Sequence, residues 1–262
     1  MSRPKLLYVA TEDWYFVSDT LPLAKAARAA GYDVFVAARA NGKDDIIRAS
    51  GLDFIPLGRM ARSSISPFSQ AAGSLELKDL YERMRPALVH HIALKPILYG
   101  QIAARALPEM PVINSVMGLG FIFASATPTA RVLRPLVRQR LRGVLARPKS
   151  RTLVQNSDDR DELAALSPAG ADRIRLVLGS GVDHRRFAAS PQPDGPPIVV
   201  LPARLLRPKG VAEFAGAEDR VRTLAFWDRD DWRSNVEYRL SGTPCEHVVA
   251  GQFCLFKDDV QR

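Results

Sequence analysis

The stretch LLYVATEDWYFVSDTLPLAKAARAAGYDVFVAAR, residues 6–39, decides the fold class. LLYVAT (6–11) is a short and almost unbroken apolar run, as in a strand buried on both faces. TLPLAKAARAAG (20–31) changes to helical spacing and stops at Gly31, and DVFVAAR (33–39) is a second buried strand. Strand, helix and strand in this order form a parallel unit, because parallel neighbours need a long crossover between them.

Outward from this unit the alternation continues. DDIIRASG (44–51) reads as a helix and DFIPLG (53–58) as a strand, and the polar stretch 61–73 leads into a helix ending near Arg85-Pro86. ALVHHIA (87–93), PVINSVMG (111–118), TLVQN (152–156) and RIRLVLG (173–179) read as strands. ILYGQIAARAL (97–107) and DDRDELAAL (158–166) read as helices between them. The pattern predicts an α/β fold: a Rossmann-like, doubly wound parallel sheet over residues 1–190, with ligand loops beyond the carboxyl ends of its strands. The proline-rich PQPDGPP (191–197) reads as a linker, and PIVVLPARL (197–205) as the first strand of a second domain, so 191–216 is expected to be linker plus the entry to that domain. From Ala217 the texture changes, and TLAFWD and NVEYRL read as two strands of a short, incomplete α+β piece over 217–262.

Composition limits the class. The 262 residues are 47% hydrophobic and 25% charged, with a net charge of +9 that favours an anionic partner. The only two cysteines, Cys245 and Cys254, leave the long remainder without a disulfide framework or structural zinc site, which suits a cytoplasmic protein. Glu12 and Asp13 interrupt the beginning where a signal peptide needs an apolar core, and no apolar run reaches the roughly 18 residues of a membrane span. Attachment to a membrane is therefore expected only from its surface. No basic surface interleaved with aromatics and no recognition motif points to nucleic acid.

Four motifs carry candidate chemistry. His90 and His91 end a strand, where neighbouring side chains point to opposite faces, so at most one enters a site; the other reading is a hydrogen-bonded structural histidine. Only His184 and His247 remain as further histidines, so no metal site is expected. Gly118 and Gly120 follow an apolar strand and would let backbone amides approach a phosphate or sugar, or form a tight turn without a ligand; Ile122 and Phe123 rule out a dinucleotide fingerprint. Arg204, Arg207 and Lys209 lie at a strand-to-helix turn that could clamp a diphosphate or stay solvated. Residues 130–151 contain eight cations and no acid, with Leu133, Val137, Leu141 and Val144 as an apolar stripe beside Arg131, Arg134, Arg138 and Arg142. Such a helix can lie on anionic lipid, or pack its stripe on the sheet and expose its arginines; the two are compatible.

Taken in order, TEDWYFVSDTLPLAKAARAAGYDVFVAAR, PALVHHIALKPILYGQIAA, VINSVMGLGFIFAS, VQNSDDRDEL with GSGVDHRRF, and LPARLLRPKGVAEF resemble the family-4 glycosyltransferases of the GT-B fold, especially those of capsule and lipopolysaccharide assembly. The resemblance implies transfer of a sugar, with retention, from a nucleotide diphosphate-sugar to a glycan or lipid-linked acceptor, with no cofactor and no required metal. It implies that Arg204 and Lys209 hold the donor diphosphate, that Gly118 and Gly120 floor the cleft, and that His91 faces the reacting sugar or acceptor. It also implies a polyprenyl-diphosphate-linked acceptor, which suits the basic helix and a peripheral place at the inner face of the cytoplasmic membrane. Two features depart from the family. Ser18-Asp19-Thr20 stands where a Ser-His-Arg-like turn is expected, and no two glutamates show the E-x7-E spacing expected of the donor domain. The chain is thus expected to be an acceptor-side fragment with little activity alone. The last forty or so residues resemble the start of a GAF-type sensory domain. The rival reading is a non-enzymatic module that binds acceptor or membrane, joined to a partial sensor.

Overall fold

The computed structural model describes residues 3–60, 67–119, 123 and 128–181, together with the short strands 220–222, 226–228, 231–233 and 237–239. The chain divides into two units, Met1–Phe187 and Ala188–Arg262.

The first unit is built on seven parallel strands: β1 (Lys5–Glu12), β2 (Asp33–Arg39), β3 (Asp53–Pro56), β4 (Leu88–Ile92), β5 (Val112–Val116), β6 (Ser150–Val154) and β7 (Ile174–Leu176). They lie in the order β3-β2-β1-β4-β5-β6-β7, so the winding reverses between β1 and β4, which pair directly from Leu6–Leu88 to Val9–His91. The helices are α1 (Asp13–Asp19), α2 (Leu21–Ala29), α3 (Asp44–Ala49), α4 (Pro67–Met84), α5 (Leu94–Ala103), α6 (Pro128–Ala146) and α7 (Ser157–Leu166). This is the Rossmann-like parallel α/β sheet expected from the sequence.

Local chemistry sets the ends of these elements. Gly31, with φ of 97°, closes α2 in a left-handed turn that costs a glycine little. Pro86 disfavours helical geometry at Arg85, and α4 stops at Met84. The Asn156 side chain accepts from the Asp159 amide (2.7 Å) and caps α7. The basic helix ends at Ala146, short of the expected 151, because Pro148 cannot continue it; Ser150 already belongs to β6.

Alternation along β1 feeds two cores. Leu7 and Val9 face one in which α4, α5, α6 and α7 contribute Tyr81, Ile97, Leu141 and Leu163. Leu6, Tyr8 and Ala10 face the other, closed by Phe16, Leu21, Ala24 and Ile47 from α1, α2 and α3. The second helical layer covers β1 to β3 and reaches β4, so its margin over β4 to β7 borders a cleft.

In the second unit, β8 (Arg220–Arg222) pairs antiparallel with β11 (Glu237–Arg239), and β9 (Phe226–Asp228) with β10 (Asp231–Arg233). Both expected strands exist there, but each pairs with a different partner rather than with the other.

Candidate functional site

Two neighbouring positions of β4 have opposite fates. His91 points into the helix-covered core, is fully buried, and lies under α5 so closely that a Cβ on Gly100 would collide with its ring. Its Nδ1 lies 2.9 Å from Oδ1 of Asn114, an atom that can only accept, so Nδ1 carries the proton and donates. Nε2 then accepts from the Tyr81 hydroxyl at 2.8 Å. Burial pushes the His91 pKa down to about 4, with Arg147 adding to the effect and the Asn114 bond opposing it.

His90 points to the other face. Its Nε2 is 2.7 Å from Ser115 Oγ and its ring centroid is 5.2 Å from that of Tyr8. Burial, and then the like charge of His91, push its pKa down to about 3. Both imidazoles are therefore neutral at physiological pH.

His90 forms part of the wall of a cleft of about 240 Å³ beyond the carboxyl ends of β4 to β7. Asp19 and Thr20 close it from the α1–α2 bend, Ser115 and Met117 from β5 and its end, Gln155 from the end of β6, and Ser180 from beyond β7. Ser180 Oγ donates to Asp19 Oδ1 at 2.7 Å, tying positions 161 residues apart across the opening. Among the described residues that line the cleft, Asp19 is the single formal charge and none is lysine or arginine.

The rim is built on a strained turn. Ala93, the residue after β4, has φ of 71° and ψ of 166°, a region that side chains disfavour. It is held there by its amide donating to the Ser115 carbonyl (2.9 Å) and its carbonyl accepting from Ile97 (3.2 Å). Lys95 follows, its pKa lowered by burial against the opposing charge of Glu12 at the end of β1.

The residues singled out from the sequence separate in space. His91 and Gly118 both lie at the carboxyl edge of the sheet, but His91 is under the helices and only His90 reaches the cleft. Strand alternation sets this division, and the face that α4 and α5 cover decides it. Gly118 has φ of 96° in the turn after β5. Gly120, Arg204 and Lys209, with the expected linker, lie outside the described residues. On α6 the apolar stripe packs inward through Val137, Leu141 and Val144. Arg138 meets Glu162 of α7 at 3.1 Å, and Arg142 Nε donates to the Leu166 carbonyl at 3.2 Å. Arg131 is exposed, while Arg134 is half-buried and engaged. Sequence reading did not single out Asp19 as a cleft residue, nor Ser115, Gln155 or Ser180; the signal for Asp19 was the odd Ser18-Asp19-Thr20 turn. Among the described residues no group of three His, Cys, Asp or Glu could hold a metal ion, and no helix is long and apolar enough to cross a membrane.

A parallel sheet whose winding reverses beside a cleft at its carboxyl edge is the arrangement of Rossmann-like domains, in which ligands sit at that edge. The chain belongs to the glycosyl transferase 4-like family, whose profile matches residues 5–151. No curated protein sequence matches it. Among solved structures, sucrose-phosphate synthase of Thermosynechococcus elongatus is similar at 16% identity and a TM-score of 0.60, over 82% of this chain and 59% of that one. A glycosyltransferase from Rickettsia africae aligns at 10% identity and a TM-score of 0.47, over 72% of this chain and 46% of that one. An Anabaena protein solved with UDP and glucose aligns at 13% identity and a TM-score of 0.49, over 72% and 47%. The chain thus spans about half the length of these structures. The likeness to the synthase establishes the fold as that of GT-B glycosyltransferases.

Proposed function

We propose that this chain forms the acceptor side of a retaining glycosyltransferase, which moves a sugar from a nucleotide diphosphate-sugar to a glycan or polyprenyl-diphosphate-linked acceptor in capsule or lipopolysaccharide synthesis. Family membership supports glycosyl transfer; retention, acceptor type and cell-surface role rest on the sequence resemblance.

The observation that carries the acceptor assignment is the charge of the cleft. A diphosphate beside Asp19 would meet repulsion, with no lining cation among the described residues to offset it. A sugar, by contrast, offers hydroxyls that donate to Asp19 and exchange hydrogen bonds with His90, Ser115, Gln155 and Ser180. Apolar Ile92, Met117 and Val177 would pack against its ring carbons. In this reading the donor diphosphate is held by Arg204 and Lys209, with Gly118 and Gly120 at the cleft floor, and leaving-group charge is stabilised there. The acceptor contact expected of His91 passes to His90, and His91 acts beneath it as a positioning residue. Transfer would need no cofactor or metal, and the enzyme would work in the cytoplasm at the membrane surface.

The absence of an E-x7-E glutamate pair favours a second reading for this polypeptide alone: a binding module with little turnover, carrying the GAF-like 217–262 tail. Titrating neutral oligosaccharides while recording NMR spectra tests the acceptor assignment. Shifts at Ser115, Gln155 and Ser180 that vanish in Asp19→Ala support it; shifts confined to other surfaces, or none, overturn it.

A further inference from the structure

The two residues that meet across the cleft opening are held very differently. Asp19 is the last residue of α1, and Thr20 joins it directly to α2. The Thr20 amide donates to the Phe16 carbonyl at 2.8 Å, and the Thr20 carbonyl accepts from the Ala24 amide at 3.1 Å, so both helices hold the bend. Thr20 is itself buried, and Phe16, Leu21 and Ala24 pack the two helices into the core. The Thr20 hydroxyl donates to Oδ2 of Asp19 at 3.3 Å, which leaves Oδ1 to the cleft and to Ser180. Asp19 is thus presented from a fixed support.

Ser180 has no comparable support. The Val177 amide donates to the Val154 carbonyl at 2.8 Å and extends the ladder by one residue past β7. Beyond it Leu178 is 81% exposed although apolar. The Gly179 amide turns back onto the Val177 carbonyl at 2.8 Å. Gly179 and Gly181 flank Ser180, each with φ of 71°, in the left-handed region that glycine enters and leaves at little cost. A Cβ built on either glycine would meet nothing within 4 Å, so neither is packed against a neighbour on that side. Among the described residues, the bond from Ser180 Oγ to Asp19 Oδ1 is what ties residues 178–181 to the α1–α2 bend. An exposed hydrogen bond of this kind has a modest net worth, because water competes for both partners.

We propose that residues 178–181 form a strap latched across the cleft by the Asp19–Ser180 bond, and that an acceptor sugar opens it by donating a hydroxyl to Asp19 Oδ1 in place of Ser180. The exchange puts one hydroxyl donor where another was, so the carboxylate oxygen keeps a partner and the freed Ser180 hydroxyl turns to the sugar or to water. The strap swings at Gly179 and Gly181, while the α1–α2 bend stays in place. Asp19 thereby serves twice, as a sugar contact and as the catch of the strap. Latched, the strap shields His90 and Ser115 in the empty cleft, and a sugar binds only the unlatched fraction of the molecules. The latch stands on its own geometry; the identity of the group that opens it rests on the acceptor reading of the cleft.

The test is carbethoxylation of the full chain by diethyl pyrocarbonate, with His90 and His91 read separately by tandem mass spectrometry. His90 lines the cleft and reports the strap, whereas His91, sealed beneath α5, is the internal reference. His90 should react about fivefold faster in Ser180→Ala and in Asp19→Ala than in the unaltered chain, and return to the unaltered rate in Ser180→Thr. His91 should stay unchanged throughout. Equal His90 rates in all four proteins overturn the latch. So does a rise at His91 equal to that at His90, because it would report local unfolding instead of an open strap. Ser180 is exposed, so its replacement leaves the core intact. Lactose or diacetylchitobiose should protect His90. No protection by either sugar, with the fivefold difference intact, overturns the acceptor as the opening ligand and leaves the latch in place.

Discussion

His90 and His91 are consecutive in β4, yet one ring lies 2.7 Å from Ser115 Oγ in the cleft wall and the other is sealed beneath α5 between Tyr81 and Asn114. Their replacement should separate accordingly. His90→Ala should weaken saccharide binding by about tenfold, with a stability loss near 1 kcal/mol. His91→Ala should cost about 2–4 kcal/mol in chemical denaturation, because it opens a cavity and strands the Tyr81 hydroxyl and the Asn114 carboxamide. Equal stability losses for the two would show that they do not occupy distinct environments.

Stability should fall in mild acid. Both histidines titrate lower in the folded chain, at about 3 and 4, than the ordinary value of 6.5. Below pH 6.5 the unfolded chain therefore takes up protons that the folded chain refuses, and stability is lost until the folded values are reached. Denaturation midpoints should be flat above pH 7 and decline between about pH 6 and 4, by up to roughly 1.4 kcal/mol per pH unit for each histidine. His91→Gln should remove part of that slope. A slope unchanged in His91→Gln would mean that this imidazole titrates normally.

The turn after β4 should tolerate glycine better than its own alanine. Ala93 sits at φ of 71°, where a Cβ is disfavoured. Ala93→Gly should be neutral or stabilising by up to about 1 kcal/mol, and Ala93→Val destabilising by about 2 kcal/mol. Thermal melting in which valine matches alanine would show that the turn is not held in this conformation.

Gly100→Ala should do damage out of proportion to one methyl group, because the new Cβ meets the buried His91 ring rather than a flexible chain end. The expected cost is about 1–3 kcal/mol, with loss of the Tyr81–His91 hydrogen bond. A neutral result in chemical denaturation would place His91 elsewhere.

Much of this architecture was legible because parallel strands buried on both faces leave continuous apolar runs, as at Leu6–Ala10, where every residue is buried. Helix α1 was not, because Trp14, Tyr15, Phe16 and Val17 form an apolar block without helical spacing. Its first residue, Asp13, is fixed by the distant amides of Asn41 (2.7 Å) and Lys43 (2.9 Å). Alternation allowed one of His90 and His91 into a site, but the choice depended on which face the helices cover. The arginine stripe of α6 was visible by spacing, whereas its pairing with Glu162 came only from the position of α7. The Asp19–Ser180 contact spans 161 residues and leaves no local trace.

The proposed reading places the uncharged sugar of the acceptor in the cleft and no complete donor site in this chain. Its most direct test is calorimetric titration with UDP- and GDP-sugars. Binding should be no tighter than about millimolar, roughly 4 kcal/mol, because no cation among the described residues lines the cleft and isolated Arg204 and Lys209 contribute little. Micromolar affinity, whether or not Arg204→Ala abolishes it, would contradict the account.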